Sequence, residues 1–387
     1  MSLRLPRPLL HPGAELAGAL SRPSAAFAGA LFAAAASLAP ATASAQVPPG
    51  YPASYQAVID GAKKEGKVIV YTPTDTNAGR PLVREFEAMY PGVKVEYNDM
   101  NTTEIYNRVI AEAASNNAGA DVVWSSAMDQ QVKLVGDGYA AAYDSPEAAN
   151  LPAWATYQKQ AYGTTFEPVG IVYNKRLLPA ADVPHTRAEF LKLLKDTARF
   201  QGKVTTFDIE KSGSGFLFLT EDAKMDPALT WDVVRAMAAT GVRLQSSSGT
   251  MMERISSGEN LIGYNMFLSY AQTRAKKDPG IGYEVPRDYA LVLSRVAFVS
   301  KTAKNPNAAR LFLDYLLSKR GQATLATGSE LPSIRADVEG ENTMAGLTKQ
   351  YGKSLKPIAI DAQLATYFDQ TKRIEFLKQW QQAIKRP

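Results

Sequence analysis

Short apolar runs alternate with amphipathic segments along most of this chain. Residues 67–71 and 121–124 are short and almost continuously apolar, as strands buried on both faces of a sheet are. Apolar residues at helical spacing follow these runs, at 81–89 and 128–135. Alternation of strands and helices is typical of doubly wound sheets, so the pattern predicts an α/β fold.

Polar residues follow two of the predicted strands of the first half. Ligands of open α/β sheets bind beyond the carboxyl ends of the strands. We therefore expect ligand contacts from the residues at these two ends, which are Thr72, Thr74, Asp75, Ser125 and Ser126.

The stretch 203–219 combines a predicted strand, a Ser-Gly-Ser-Gly loop and an apolar helix predicted from residue 216. The first amide groups of a helix have no internal partner, and the helix dipole favours negative charge there. Glycine lets the backbone approach a ligand, and serine adds donors. The alternative is a capped helix start with a flexible lead-in.

A second Ser/Gly loop, 246–250, precedes a helix predicted from residue 251. Candidate anion contacts are Ser212, Gly213, Ser214, Ser248 and Thr250.

Composition indicates a globular chain that is large enough for two domains. It has 387 residues, of which 45% are hydrophobic and 21% are charged. The formal net charge is +5, and Arg4, Arg7, Arg22 and Glu15 contribute +2 of it (3 − 1). No block of Lys or Arg is long enough to indicate a nucleic-acid surface.

Cysteine is absent and histidine occurs twice, which removes most catalytic and metal-binding chemistry. Disulfides, thiol catalysis and Cys-based metal sites are excluded. A Ser-His-Asp triad would need His185, because His11 lies in the first 45 residues. The G-x-S-x-G, S-x-x-K and H-E-x-x-H motifs are absent as well. We therefore expect no catalytic residues, no bound metal and no cofactor.

The first 45 residues have the pattern of an export signal. Arginines precede an Ala-rich apolar run at 25–39, and Ala43-Ser44-Ala45 fits the small-residue cleavage pattern. A membrane anchor is the alternative, but the run of about 15 residues is shorter than the roughly 20 that a spanning helix needs. We expect a signal peptide at 1–45 and a mature protein in the periplasm.

Six segments, taken together and in order, resemble one family. They are GKVIVYTPTD, ADVVWSS, FEPVGIVYN, FDIEKSGSGF, SSGENLIGYN and AKNPNAARLFLDYLLSKRGQATLA. This set resembles the ferric-ion-binding-protein family of periplasmic ABC-transporter solute-binding proteins. The resemblance implies a monomer of the type II fold, with two doubly wound α/β lobes joined by a two-strand hinge. It places the first lobe at 46–165 and 290–335, and the second at 166–289 and 336–387.

The resemblance also implies that the metal ligands of the family are lost here. Ferric members use a His, a Glu and an adjacent Tyr-Tyr pair, and the corresponding positions hold Asp75, Ser126 and Phe267-Leu268. The resemblance implies that the anion-binding positions of the family's pocket are retained. Their matches are Ser212-Gly213-Ser214, then Ser247 or Ser248, and Asn265, with Tyr264 either lining the cleft or belonging to the core.

We therefore expect a periplasmic binding protein that captures a small organic anion (a phosphate ester, phosphonate or carboxylate). It would deliver the anion to an ABC permease in the inner membrane. Two alternatives use the same clamp: ferric iron held through a synergistic anion, and ligand sensing with a membrane histidine kinase. An enzyme is disfavoured, because the sequence offers little acid–base chemistry beyond carboxylates.

Overall fold

The computed structural model describes residues 47–115, 117 and 119–385. The predicted signal peptide lies outside these residues. The strands are β1 (Lys67–Thr72), β2 (Lys94–Asp99), β3 (Val122–Ser125), β4 (Thr156–Tyr157), β5 (Ala161–Gly163), β6 (Glu167–Asn174), β7 (Val204–Phe207), β8 (Arg243–Gln245), β9 (Ile262–Phe267), β10 (Ile281–Glu284), β11 (Ala290–Leu293), β12 (Val296–Val299) and β13 (Leu355–Pro357).

Helices cover both faces of the sheets that these strands form. They are α1 (Gln56–Glu65), α2 (Thr76–Met89), α3 (Thr102–Ala114), α4 (Met128–Gly136), α5 (Arg187–Leu193), α6 (Gly213–Met225), α7 (Pro227–Ala239), α8 (Ser248–Ser256), α9 (Leu268–Lys277), α10 (Pro306–Leu317), α11 (Lys319–Thr327), α12 (Met344–Tyr351) and α13 (Gln370–Ile384). Short 3₁₀ helices lie at Ala53–Tyr55, Ala148–Asn150, Ala153–Ala155, Ala180–Asp182, Gly352–Ser354 and Ala362–Phe368.

Two sheets organise the molecule, which confirms the predicted α/β class. The first has the order β2-β1-β3-β12-β5-β4, with β1 parallel to β2 and β3. The second has the order β13-β11-β6-β9-β7-β8, and β10 pairs with β6. We call the part built around the first sheet the first lobe, and the part built around the second sheet the second lobe.

Two chain segments cross between the sheets side by side. The first joins β5 to β6, and the second, Ser294 and Arg295, joins β11 to β12. The amide of Thr164 donates to the carbonyl of Arg295 at 2.8 Å, and the amide of Arg295 donates to Thr165 Oγ1 at 2.9 Å. A third passage follows Ser333 and leads to β13 in the second sheet.

Three helices begin earlier than the sequence pattern predicts. Helix α2 begins at Thr76, so Pro81, where we predicted its start, lies inside the helix. Helix α6 begins at Gly213 and α8 at Ser248, because serine side chains cap both helices. The Ser/Gly segments predicted as loops therefore form the first turns of α6 and α8.

Buried aromatic residues hold the sheets against the helices. Trp124 of β3 is fully buried and its Nε1 donates to Thr164 Oγ1 at 2.8 Å, which ties the first sheet to the crossing. In the second lobe Trp380 and Phe376 of α13 are buried. A 3₁₀ helix at Ala362–Phe368 precedes α13, and the side chain of Asp369 caps α13. None of the described helices is long and apolar enough to cross a membrane.

Candidate ligand-binding site

A cavity of about 230 Å³ lies between the two lobes, where strands of both sheets end. The first lobe lines it with residues at and after the ends of β1, β2 and β3, namely Pro73, Asp75, Asp99, Met100, Asn101, Thr102 and Ser126. The second lobe lines it with residues at and after the ends of β7, β8 and β9, namely Phe207, Ser212, Ser214, Ser246, Ser247, Ser248, Gly249, Phe267 and Tyr270. Arg295 of the crossing lines it as well. Open α/β sheets bind ligands at such carboxyl ends.

Three helices begin in the wall of this cavity. The capping residues Asn101, Ser212 and Ser247 line it, and each accepts a hydrogen bond from an amide of its own helix at 2.9–3.2 Å. The dipoles of α3, α6 and α8 thus place partial positive charge at the same cavity. This arrangement favours an anion, since the remaining first-turn amides of a helix have no internal acceptor.

The two lobes contact each other at the edge of the cavity. The hydroxyl groups of Ser126 and Ser214 are hydrogen-bonded at 2.9 Å. The amide of Gly213 donates to Thr102 Oγ1 at 3.1 Å. The arrangement is therefore a closed one, in which the start of α6 meets residues of the first lobe.

The glycines at the start of α6 are explained by protein contacts. A Cβ atom on Gly213 would lie 2.7 Å from Gln130 Nε2, and one on Gly215 would lie 2.4 Å from the Cβ of Phe207. Both positions therefore exclude any side chain because neighbouring residues pack against the backbone. Close packing, rather than the approach of a ligand, accounts for these glycines.

Ser248 contributes a polar group that the protein itself does not satisfy. Its side chain is 5% exposed, its hydroxyl has no hydrogen-bond partner among the described residues, and it lies in the first turn of α8 at the cavity wall. Leaving a buried hydroxyl without a partner costs about 1–3 kcal/mol. A ligand in the cavity would remove that cost.

Arg295 is a buried cation beside the same cavity. Its side chain is 1% exposed, its Nε and Nη2 donate to the two oxygens of Glu167 at 2.7 and 3.0 Å, and its Nη1 donates to Thr74 Oγ1 at 2.7 Å. Burial lowers the pKa of Arg295, but the carboxylate of Glu167 more than reverses this, and the net shift is upward. The guanidinium therefore stays charged and links both lobes through its partners.

Two carboxylates contribute negative charge to the same cavity. Asp75 and Asp99 both line the cavity and both are exposed. Partial burial raises the pKa of Asp99, and the neighbouring negative charge of Asp75 adds to the rise. Tyr270 lies at the same cavity, and burial raises the pKa of Tyr270 to about 12, so its phenol is neutral near pH 7. The site can therefore offer a negative end as well as an anion-binding end.

Comparisons with known proteins agree with this geometry. A family model described as "Bacterial extracellular solute-binding protein" matches residues 81–349. The chain belongs to this family. The substrate-binding protein of an ABC transporter from Agrobacterium tumefaciens is 38% identical, with 82% of this chain and 94% of that chain covered and a TM-score of 0.79. A search of curated proteins gave no significant match.

More distant structures share the fold of this solute-binding protein. AfuA from Actinobacillus pleuropneumoniae, with exogenous fructose-6-phosphate bound, is 20% identical over 83% of this chain and 99% of that chain, with a TM-score of 0.70. Iron-bound HitA from Pseudomonas aeruginosa is 17% identical over 82% and 99%, with a TM-score of 0.63. These matches confirm the type II periplasmic binding fold. The chain is thus a periplasmic solute-binding protein of an ABC transporter, with a small-molecule ligand and a permease as partner.

The structure brings five of the sequence-predicted residues of this solute-binding protein to the cavity. They are Asp75, Ser126, Ser212, Ser214 and Ser248. Five others lie close to the wall but do not line it, namely Thr72, Thr74, Ser125, Gly213 and Thr250. Most of these groups are used within the protein: Thr72 bonds Thr74, Ser125 accepts from the amide of Ala127, and Thr250 bonds Ser247.

Tyr264 and Asn265 serve a buried network of the second lobe instead. Asn265 Nδ2 donates to Asp222 Oδ2 at 2.7 Å, and the hydroxyl of Tyr264 donates to the same oxygen at 3.0 Å. Arg187 Nη2 donates to the other oxygen of Asp222 at 3.0 Å. Asn265 has a φ of 56°, in the left-handed region that few residues other than glycine adopt, although it lies within β9. Of the two alternatives for Tyr264, the structure supports the core.

Of the four positions at which the resemblance to ferric-binding proteins implies metal ligands, Asp75 and Ser126 are polar, and Phe267 and Leu268 are apolar. Phe267 lines the cavity with an aromatic ring, and Leu268 is buried. Tyr270, three residues further on, supplies one phenol to the cavity. Within the described part of the chain, no group of three or more His, Cys, Asp or Glu side chains is placed to hold a metal ion.

Sequence reasoning missed several residues of the cavity wall. Asp99 ends β2, and Asn101 and Thr102 follow it. We did not consider the carboxyl end of this strand, although the rule for ligand sites applies to it equally. The sequence could also have indicated a special role for Arg295, since it is the one charged residue in the apolar stretch 290–300. A lone arginine within buried strands needs a partner, and that requirement indicates a special role.

Proposed function

We propose that this protein captures a small organic anion between its lobes and delivers it to an ABC permease. The observation that carries the proposal is the convergence of three capped helix starts and the unpartnered hydroxyl of Ser248 on one cavity. Helix starts bind phosphate and carboxylate groups through free amides and the helix dipole. The anionic group would lie against Ser212, Ser214 and Ser248.

The size and the lining of the cavity also support a small, polar ligand. Its volume of about 230 Å³ is below the roughly 300–1,000 Å³ of pockets for drug-sized molecules. Serine hydroxyls and carboxylates line much of it, with Phe207 and Phe267 as apolar surfaces. The fructose-6-phosphate bound to AfuA is an organic phosphate held by the same fold, which is consistent with this ligand class.

Binding would stabilise the closed arrangement of the lobes. Residues of both lobes line the cavity, so a ligand there contacts the first lobe through Asp75 and Ser126 and the second through Ser214 and Ser248. A ligand shifts a conformational equilibrium only by its difference in affinity for the two states. A ligand contacts both lobes only when the cleft is closed, so it binds the closed state more tightly than the open state.

Calorimetry and thermal shift against a panel of ligands test the proposal. The panel contains inorganic phosphate, methylphosphonate, hexose 6-phosphates, di- and tricarboxylates, and ferric salts with and without phosphate. We expect at least one organic anion to bind and to raise the melting temperature without iron. Binding that requires ferric iron in every case would contradict the proposal and favour an iron site completed by an anion.

Removing two hydroxyls from the anion end is expected to weaken binding. The variant Ser214→Ala with Ser248→Ala should lose about 1–3 kcal/mol of binding free energy, at roughly 0.5–1.5 kcal/mol per hydrogen bond. This corresponds to a fall in affinity of about 5-fold to 150-fold, measured by calorimetry. Ser257→Ala, at the exposed far end of α8, is the matched control and should bind like wild type. Unchanged affinity in the double variant would remove this end of the cavity from the site.

A further inference from the structure

A second cavity adjoins the ligand cavity. It has a volume of about 540 Å³ and shares Asp75, Asp99, Gly249 and Tyr270 with the first. We call the two the inner and the outer cavity. The outer cavity also lies between the lobes, because Gly328–Glu330 of the first lobe faces α8 and α9 of the second lobe across it.

The charges that line the outer cavity are unequal. Four carboxylates and two cations line it, namely Asp75, Asp99, Glu253 and Glu330, with Arg274 and Lys277. The formal sum is −2 (2 − 4). Glu330 has an ion-pair partner in Lys276 at 3.7 Å, whereas none of the ion pairs among the described residues involves Asp75, Asp99 or Glu253. This surface therefore has more negative charge than its own cations balance.

Buried polar groups without hydrogen-bond partners also line the outer cavity. The hydroxyl of Ser329, a residue that is 6% exposed, has no hydrogen-bond partner among the described residues, and neither does Glu330 Oε2. Both residues line the outer cavity. Arg274 Nε also has no partner there. A hydroxyl and a carboxylate oxygen without partners can both accept a hydrogen bond, so a donor in the outer cavity would satisfy them.

We propose that the outer cavity receives a positively charged amine, so that the ligand is a zwitterion with its anionic group in the inner cavity. This inference rests on the proposed function, because the anionic end must first bind in the inner cavity. The ammonium group lies near Asp75 and Asp99, where the two cavities meet, with Ser329 and Glu330 as acceptors beyond them. Because both lobes line this cavity, the amine adds to the stability of the closed cleft.

Matched pairs of compounds test the assignment. Phosphoethanolamine is compared with ethyl phosphate, and 4-aminobutyrate with butyrate, by calorimetry on the mature protein. Glycerol 3-phosphate provides a hydroxyl in place of the amine. In at least one pair we expect the amine to bind about tenfold tighter or more than its partner, as one charge-assisted hydrogen bond provides. Glycerol 3-phosphate should bind more weakly than phosphoethanolamine.

Variants separate the amine end from the anion end. Asp75→Asn with Asp99→Asn should bring the affinity ratio within the pair close to one, and Ser329→Ala should lower affinity for the amine by about threefold. Ser329→Ala removes a hydroxyl that has no partner, so its melting temperature without ligand should not fall. Asp137→Asn with Asp144→Asn removes two exposed carboxylates outside both cavities. This variant is the charge-matched control and should keep the wild-type ratio.

The outcomes distinguish this inference from the function on which it rests. Equal affinity within both pairs, or a preference for glycerol 3-phosphate, would overturn the amine assignment while leaving anion capture intact. A preference for the amine that survives in the double aspartate variant would also overturn it. If no anion of either pair or of the wider panel binds, the proposed function fails and the inference fails with it.

Discussion

Replacing Arg295 with methionine is expected to lower the free energy of unfolding by about 3–5 kcal/mol, as the loss of one partner of a buried ion pair does. The guanidinium is 1% exposed and forms a two-bond pair with Glu167, which is fully buried. Without Arg295, Glu167 would keep hydroxyl donors from Thr165 and Ser269 but no cation. Urea denaturation at pH 7 measures the change.

A double-mutant cycle shows whether the loss comes from the pair itself. Glu167→Met should be destabilising to a similar degree, because it leaves the cation of Arg295 buried and unpaired. The variant with both substitutions should be more stable than the sum of the single losses predicts, since replacing a whole buried pair by apolar side chains is often close to neutral. Additive losses, or a loss below about 1 kcal/mol for Arg295→Met, would contradict this account.

The same residue connects stability with the shape of the site. Arg295 lies in the crossing between the sheets, donates to Thr74 in the first lobe, and lies 5.5 Å from the ring centroid of Phe267 in the second. Both Arg295 and Phe267 line the ligand cavity. The ion pair thus fixes part of the cavity wall in the closed arrangement.

Local features of the sequence predicted the elements, and five of the twelve residues named as ligand contacts line the cavity. Strand ends and Ser/Gly segments are encoded within a few residues, so Asp75, Ser126, Ser212, Ser214 and Ser248 could be named without a structure. Capping is local as well, although we placed the serines of α6 and α8 before the helices rather than in their first turns. The error was small because a capping serine and a loop serine have the same sequence pattern.

Contacts between distant residues could not be predicted in the same way. Asn265 faces Asp222, which is 43 residues away in the sequence, and Arg295 faces Glu167, which is 128 residues away. Whether a polar residue at a strand end binds a ligand or a buried carboxylate depends on these partners. Resemblance to a family did not show which of these partners a residue has. A matching position shows which residue is present but not what it contacts.

Asp129 is a buried carboxylate whose charge the protein compensates only in part. It lies in the first turn of α4 and is 4% exposed, and its Oδ1 has no hydrogen-bond partner among the described residues. Burial raises the pKa of Asp129 to about 7, and the amide of Gln130 offsets only part of that rise. By comparison, three hydroxyl groups donate to the buried Asp314, from Tyr55, Tyr143 and Ser145, and burial raises the pKa of Asp314 only to about 6.

Asp129→Asn is therefore expected to stabilise the protein at pH 8 by on the order of 2–4 kcal/mol, since each pKa unit corresponds to about 1.4 kcal/mol. Between about pH 4 and pH 7 the folded protein keeps the proton of Asp129 while the unfolded chain releases it, so wild-type stability falls as the pH rises through this range. The variant lacks this loss of stability, and its advantage over the wild type should shrink towards zero as the pH falls to about 4.

Urea denaturation of both proteins across this range measures the difference. Asp137→Asn, at the other end of α4, is the control and should stay within about 0.5 kcal/mol of wild type. A constant difference between wild type and Asp129→Asn at all pH values would show that Asp129 is not the group that titrates.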